Sequence, residues 1–278
     1  MSKIINIGPL AFYDSPTKQQ HQKFSAFGQI WPLIVELGKF PVFQFMANPS
    51  FAPASGKAVS ALTMSRVNAQ GEIMWTESWP WLDWVQMIGS ETHTTFISTP
   101  EDIDLSFLPA LQQGYYFLTI TDDVGNTYTS DIFAYRKDVS NLLKLEYSNT
   151  YNFQIAGKEI LFDGMIQPFR PYIYIDTQLG RPEYKFEEEV VSRLGYEYIE
   201  SQVSKKQYKF EFVAPEYLLD AMRFIRLCEN KKCVYSGEEY DMLAFNIEVS
   251  WGAQGDLASV SASFDVDNIV ANTGGIIP

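Results

Sequence analysis

Two segments near the carboxyl end alternate between apolar and polar side chains, and this period of two constrains the fold more than any other feature. In residues 205–213, three aromatic residues alternate with Lys209 and Glu211. In residues 257–266, small or apolar residues alternate with three serines and Asp265. Successive side chains of a strand point to opposite faces, so both segments predict strands with one buried face. The serine-lined face is predicted either to pack against a hydrogen-bonding partner or to be solvated.

Further strands are predicted along the chain wherever β-favouring residues lie between turn residues. Residues 114–121 form the strongest of them, and residues 122–126 (Asp-Asp-Val-Gly-Asn) form a turn that leads to a partner strand over residues 127–133. Residues 58–64 and 73–76 predict another pair, and residues 171–176 predict a further strand.

One amphipathic helix is predicted near residues 215–228. Pro215 is favoured in a first helical turn, and Glu216 suits the positive end of the helix dipole. Leu218, Met222 and Ile225 recur at helical spacing and predict its buried face.

The predicted fold class is therefore all-β (mainly β with one short helix), in two domains. Many short strands separated by turns are typical of a sandwich, and the polar segment 136–141 suggests a boundary. We expect an immunoglobulin-like β-sandwich over residues 1–137 and a β-sandwich or barrel over residues 138–278. An aromatic content of 15% favours both β-structure and protein interfaces.

Charge and targeting features narrow the classes of function. The formal net charge of -13 makes the chain a poor candidate for recognising nucleic acid directly. No run of roughly 20 apolar residues predicts a membrane helix, and the first residues do not read as a signal peptide, so we expect synthesis in a cytoplasm. Cys228 and Cys233 are read as two free thiols near the helix end, although their spacing also permits a disulfide.

No catalytic, cofactor-binding or metal-binding residues are predicted, and we expect the chain not to be an enzyme. His21 and His93 lie in polar segments that predict surface or structural roles. A hairpin turn accounts for residues 122–126 without calcium, and the run Glu187 to Glu189 reads as a solvated or interface strand.

A tryptophan cluster is the candidate contact site. Trp75, Trp79, Trp81 and Trp84 lie within ten residues of one another. They could be core residues of the first domain, anchors of a subunit interface, or an aromatic platform for sugar rings. Pro80 favours an extended loop and therefore exposure.

Three segments of the second half resemble uncharacterised proteins from phages and prophages of Bacteroidetes hosts. They begin at Tyr172 (YIYIDTQLGRPEYKFEEE), Ser204 (SKKQYKFEFVAPEYLLDAMRFIR) and Trp251 (WGAQGDLASVSASFDVD). The resemblance covers about residues 142–270, and the proteins concerned include tail-region structural components, among them those of crAss-like phages. It implies a bacteriophage virion protein and supplies no catalytic residues.

The expected function is that of a structural protein of the phage tail, connector or baseplate region. The chain would be a repeated subunit of a symmetric ring or tube and would contact copies of itself and other tail proteins. An acidic wall would let DNA slide through a channel. The alternative function is a carbohydrate-binding, receptor-recognition module that uses Trp75, Trp79, Trp81 and Trp84. A tail-borne glycosidase would instead require two carboxylates that face a common cleft.

Overall fold

The strands of the amino-terminal half form two sheets. A computed structural model describes residues 4–14, 32–47, 59–68, 72–79, 85–89, 94–98, 105, 108, 111–123, 125–155, 158–162, 169–193, 195–252 and 257–272. The strands of this half are β1 (Ile5–Asn6), β2 (Phe12–Tyr13), β3 (Leu33–Glu36), β4 (Gln44–Ala47), β5 (Ala61–Val67), β6 (Ile73–Trp79), β7 (Val85–Gly89), β8 (Thr94–Ser98), β9 (Gly114–Thr121), β10 (Thr127–Ser130) and β11 (Phe133–Arg136). One sheet has the order β1-β4-β8-β7, and the other contains β2-β10-β9-β11-β3 with β5 and β6 attached through β9.

Strand β9 organises the larger sheet. The strand predicted over residues 114–121 is confirmed, its burial alternates from residue to residue, and Tyr116, Leu118 and Ile120 are fully buried. Along one edge it pairs with β5, and along the other it pairs first with β11 and then with β10. The strand predicted over residues 127–133 is therefore wrong in one respect, because it breaks between Ser130 and Phe133. The Ser130 hydroxyl accepts the Leu118 amide at 2.8 Å and so satisfies the backbone at this break.

The predicted turn after β9 is present, and its side chains hold it together. The Asp122 carboxylate accepts hydrogen bonds from the Asn126 backbone amide and the Asn126 side chain, both at 2.8 Å. Gly125 has a φ of 94°, a conformation that glycine adopts without strain. The turn itself thus accounts for the residue types in this segment.

The strands of the carboxyl-terminal half form two larger sheets and one small hairpin. They are β12 (Leu143–Ser148), β13 (Phe153–Ile155), β14 (Lys158–Ile160), β15 (Tyr172–Ile175), β16 (Glu183–Arg193), β17 (Tyr196–Pro215), β18 (Asn230–Tyr235), β19 (Glu238–Asp241), β20 (Ala244–Trp251) and β21 (Leu257–Asn272). One sheet has the order β15-β12-β18-β19, and the other has the order β16-β17-β21-β20. All neighbours in the second of these sheets are antiparallel.

The predicted helix is confirmed as α1 (Glu216–Leu227), which directly continues β17. Pro215 is extended and stands at the N-cap rather than inside the first turn. Leu219, Ala221, Met222 and Ile225 form the buried face, so the predicted Leu218 lies at its margin while Met222 and Ile225 lie at its centre. The helix packs on the face of the long sheet that buries Tyr208, Phe210 and Phe264. We call this the inner face and the opposite one the outer face.

The two halves of the chain share one of the apolar cores. Ile7, Val42, Met46 and Ile97 of the first half pack in the same cluster as the buried face of α1 and the long sheet. A polar contact joins the halves at the same place, since the Gln44 amide, in its hydrogen-bonding orientation, donates to the Leu161 carbonyl at 3.1 Å and accepts its amide at 3.0 Å. The structure is thus mainly β, built from several sheets, with one helix in the residues described here.

Candidate interaction surfaces

The long sheet extends beyond its own core as a three-stranded arm. The arm consists of β16 (Glu183–Arg193), residues 196–206 of β17 and residues 267–272 of β21. The strand β17 is 20 residues long, which corresponds to about 65 Å at ordinary strand rise. Only its second half is backed by α1 and the core, so the arm projects past the packed part of the molecule.

The inner face of the arm carries several large apolar residues that are exposed. Tyr184, Phe186, Val190 and Ile269 are each between 53% and 65% exposed. Phe186 and Ile269 flank Ser204 in one cross-strand row, and the row nearer the core contains Tyr184, Lys206 and Asp267. These rows continue the face that buries Tyr208, but no described residue covers them. Contiguous exposed apolar side chains of this kind mark an interaction surface.

The outer face of the arm has the pattern of a solvated surface. Lys205 and Glu187 form an ion pair at 2.6 Å, and Lys209 and Glu183 form another at 2.6 Å. Glu189 accepts a hydrogen bond from Ser201 on the same face, while Glu188 accepts one from Gln202 on the inner face. The acidic run therefore alternates across a strand, as predicted, and the arm is amphipathic although its inner face is bare.

The long sheet also has two free edges. In the part of the chain that the structure describes, β16 pairs only with β17, and β20 pairs only with β21. At the β20 edge, Leu243, Val249 and Trp251 are large exposed apolar residues. Beside the core β16 no longer pairs with β17, and there the edge of β17 is covered by a loop. The Gly180 amide donates to the Lys209 carbonyl at 2.9 Å, and the Thr177 hydroxyl donates to the Glu211 carbonyl at 2.6 Å. Unprotected edges are templates for pairing with another chain.

A shallow groove crosses the outer face of β17, β21 and β20. It has a volume of about 570 Å³, and its polar lining includes Glu211, Glu248, Ser259 and Ser261. The predicted serine face thus lies on an open surface. Glu211 and Glu248 are two strands apart, so their Cα atoms are about 10 Å apart. Both carboxylates are exposed, whereas a catalytic acid is usually sheltered from water, so their pairing alone does not define an active site.

The tryptophan cluster is described only in part. Trp75 lies on β6, is half-buried, and meets the Tyr116 ring edge-on with 6.4 Å between centroids. It packs against the core of the amino-terminal half. Trp79 ends β6 opposite Leu62, while Trp81 and Trp84, like His21 and His93, lie outside the described residues. The interface and glycan roles of the cluster therefore stay predictions.

The two cysteines are free thiols, as the sequence suggested. Both are buried, and burial raises the pKa of each thiol to about 12. Within the described ranges no group of three or more His, Cys, Asp or Glu side chains could hold a metal ion. Among those same residues, no helix is long and apolar enough to cross a membrane.

Sequence reasoning missed the arm. It predicted a strand only from residue 205, whereas β17 begins at Tyr196. A local signal was present, because Gly195, with a φ of 81°, supplies the turn between two segments rich in Val and Tyr. What the local pattern could not reveal is that none of the described residues covers the inner face.

Comparison with known proteins identifies no relative. No protein-family profile matches the chain, and neither a curated protein nor a solved structure shows significant similarity to it. The surfaces described above are thus the basis for any functional conclusion.

Proposed function

We propose that the chain is a structural subunit of the tail, connector or baseplate region of a bacteriophage virion, where it forms part of a ring or tube. In this role it contributes protein–protein contacts and geometry rather than reaction chemistry. The observation that carries the proposal is the arm, whose exposed apolar residues on the inner face are not covered by any described part of the chain. Exposed apolar patches of this kind mark a surface that another protein covers.

The resemblance of residues 142–270 to tail-region proteins of Bacteroidetes phages supports the same role. Two of the three resembling segments contribute to the arm, and the third provides part of β20 and most of β21. The first of these segments includes Tyr184 and Phe186 of the exposed apolar surface and most of the free edge strand β16, whereas of β20 only Trp251 lies within a resembling segment. As finer parts of the proposal, the first half is an immunoglobulin-like sandwich and the second half is the assembly domain.

The acidity of the chain suggests its relation to DNA. With a net charge of -13, a ring of these subunits repels the phosphate backbone and lets DNA pass without being held. An assembled ring with a basic lumen would contradict this part of the proposal.

The test is to locate the chain in virus particles. Antibodies against the purified protein should label one end of the tail region in electron micrographs of virions from a Bacteroidetes culture that carries the gene. Quantitative mass spectrometry of the same particles should give a fixed number of copies per virion. Particles that lack the chain, or a chain found only in uninfected cells, would refute the proposal.

A further inference from the structure

We infer that β16 of one copy pairs with the β20 edge of a second copy and so continues the long sheet from subunit to subunit. The inference rests on the proposed role as a repeated subunit and names the surfaces that join the copies. It follows from three properties of the two free edges: strand direction, side-chain pattern and charge.

Strand direction permits a head-to-tail contact. The four strands β16-β17-β21-β20 are antiparallel throughout, so the two edge strands run in opposite directions. A second copy placed alongside in the same orientation therefore brings its β20 antiparallel to β16 of the first. Since the two edges differ, the contact is heterologous and repeats from copy to copy, as in a ring or tube. Pairing of residues 244–250 of β20 with residues 183–189 of β16 would form about seven backbone hydrogen bonds.

The two free edges lie at different positions along the strand direction of the sheet. Strand β16 lies opposite residues 196–207 of β17, whereas β20 pairs with residues 258–265 of β21 beside the core. When the edges of two copies meet, the arm of one copy lies beside the packed body of the next. The apolar inner face of the arm is then continuous with the core side of a neighbour.

Charges on the outer face complement each other. Lys185 on β16 lies opposite Lys205, which is paired with Glu187, and Glu248 on β20 lies opposite Ser261. Among the described residues neither Lys185 nor Glu248 has an ion-pair partner. Lys185 and Glu248 therefore provide one pair of opposite charges that a contact between the two edges can bring together.

A single register satisfies both faces. With Lys185 of one copy opposite Glu248 of the next, antiparallel pairing places Tyr184 opposite Val249 and Val190 opposite Leu243. All four of these apolar residues are exposed in the single chain; Tyr184, Val190 and Val249 lie on the inner face of the sheet, and Leu243 directly precedes β20. Cross-strand pairs of apolar or oppositely charged residues stabilise a sheet, so this alignment matches two large exposed side chains of each edge.

The experiment blocks one edge at a time. Phe186→Lys places a charge on the inner face of β16, and Val249→Lys places one on the inner face of β20. Inward-pointing charges on an edge strand prevent pairing with another edge. Both residues are exposed, so the fold should tolerate the changes, which circular dichroism and thermal unfolding would verify. Met74→Lys, an exposed apolar residue on β6 in the other half of the chain, is the matched control.

The mass of each species in solution is measured by light scattering. Wild type and Met74→Lys should form the same large assembly, and each edge variant alone should be monomeric. An equimolar mixture of Phe186→Lys and Val249→Lys should form a dimer and nothing larger, because each variant keeps the edge that the other has lost. This complementation is specific to pairing between the two named edges.

Several outcomes would overturn the inference: a monomeric wild type at every concentration reached, edge variants that assemble like wild type, or a mixture that stays monomeric. If either lysine variant misfolds, the test uses variants that exchange the charges of Lys185 and Glu248 instead. Lys185→Glu alone should then weaken assembly, and Lys185→Glu combined with Glu248→Lys should restore it. Virion labelling is independent of these results, so a chain found in tails whose edge variants still assemble would keep the proposed function and lose only this contact.

Discussion

Gly180 shows how one residue without a side chain protects the sheet. Its amide donates to the Lys209 carbonyl at 2.9 Å, and this contact covers the β17 edge beside the core. A Cβ atom at Gly180 would lie 2.8 Å from the same carbonyl oxygen, closer than such atoms approach in folded proteins. The position therefore excludes every residue other than glycine unless the loop moves away from the strand.

Gly180→Ala should lower the free energy of unfolding by about 1–3 kcal/mol, since the added methyl group displaces a backbone contact. Gly252→Ala is the matched control, because nothing lies within 4 Å of a Cβ at that position. Its effect should stay within about 0.5 kcal/mol. Urea unfolding followed by circular dichroism measures both, and equal effects would show that the close approach does not constrain the loop.

At the scale of elements, the helix α1 carries buried apolar residues on one face and an exposed apolar residue at its end. Ile225 and Met222 are fully buried against the long sheet, whereas Leu227 at the end of the same helix is largely exposed. The helix is 12 residues long, too short to be stable alone in water, so its stability comes from the buried face. The packed half of β17 and the helix thus depend on each other.

Ile225→Ala should cost about 2–5 kcal/mol of unfolding free energy, because it leaves a cavity in the core. Leu227→Ala, the same kind of truncation on the exposed side, should change it by less than about 0.5 kcal/mol. Thermal and urea unfolding of the two variants provide the comparison. A loss of similar size in both would mean that the helix does not pack as the structure places it.

At the scale of the whole molecule, buried phenols and thiols make the fold sensitive to alkali. Burial raises the pKa of Tyr135 and Tyr147 well above the usual value, and it raises the pKa of Cys228 and Cys233 to about 12. In the unfolded chain the thiols ionise near pH 8.5 and the phenols near pH 10. Above these values the unfolded state binds fewer protons than the folded state, so stability falls as the pH rises.

Below about pH 8 these groups should therefore leave the free energy of unfolding nearly constant. Above about pH 8 the free energy of unfolding should decrease by about 1.4 kcal/mol per pH unit for each group that titrates in the unfolded chain. Tyr147→Phe tests this, because the buried Tyr147 hydroxyl has no hydrogen-bond partner in the described structure. The variant should match wild type at neutral pH and lose less stability above about pH 10. Urea unfolding from about pH 8 to about pH 11 gives the slopes, and identical slopes would contradict the assignment.

Local sequence patterns determined much of the secondary structure. The period of two predicted most of the packed half of β17 and the first ten residues of β21, because alternation follows directly from strand geometry, and β-favouring residues predicted β9. Helical spacing predicted α1 to within a residue at each end. The turn residues predicted the hairpin after β9. The Asp122 carboxylate accepts the Asn126 backbone amide, and Gly125 adopts the positive φ that the turn needs. The acidic run was also predicted correctly as part of a strand.

Only the tertiary structure decided which faces are covered. In β16, Tyr184 and Phe186 alternate with Lys185 and Glu187 as in a strand with one buried face, and a local pattern does not state which other segment lies on top of that face. That depends on partners far away in sequence, such as the helix for Phe210 and residues of the other half of the chain for the shared core. The candidate surface arises for this reason, since it is the part of the long sheet that no described segment of the chain covers.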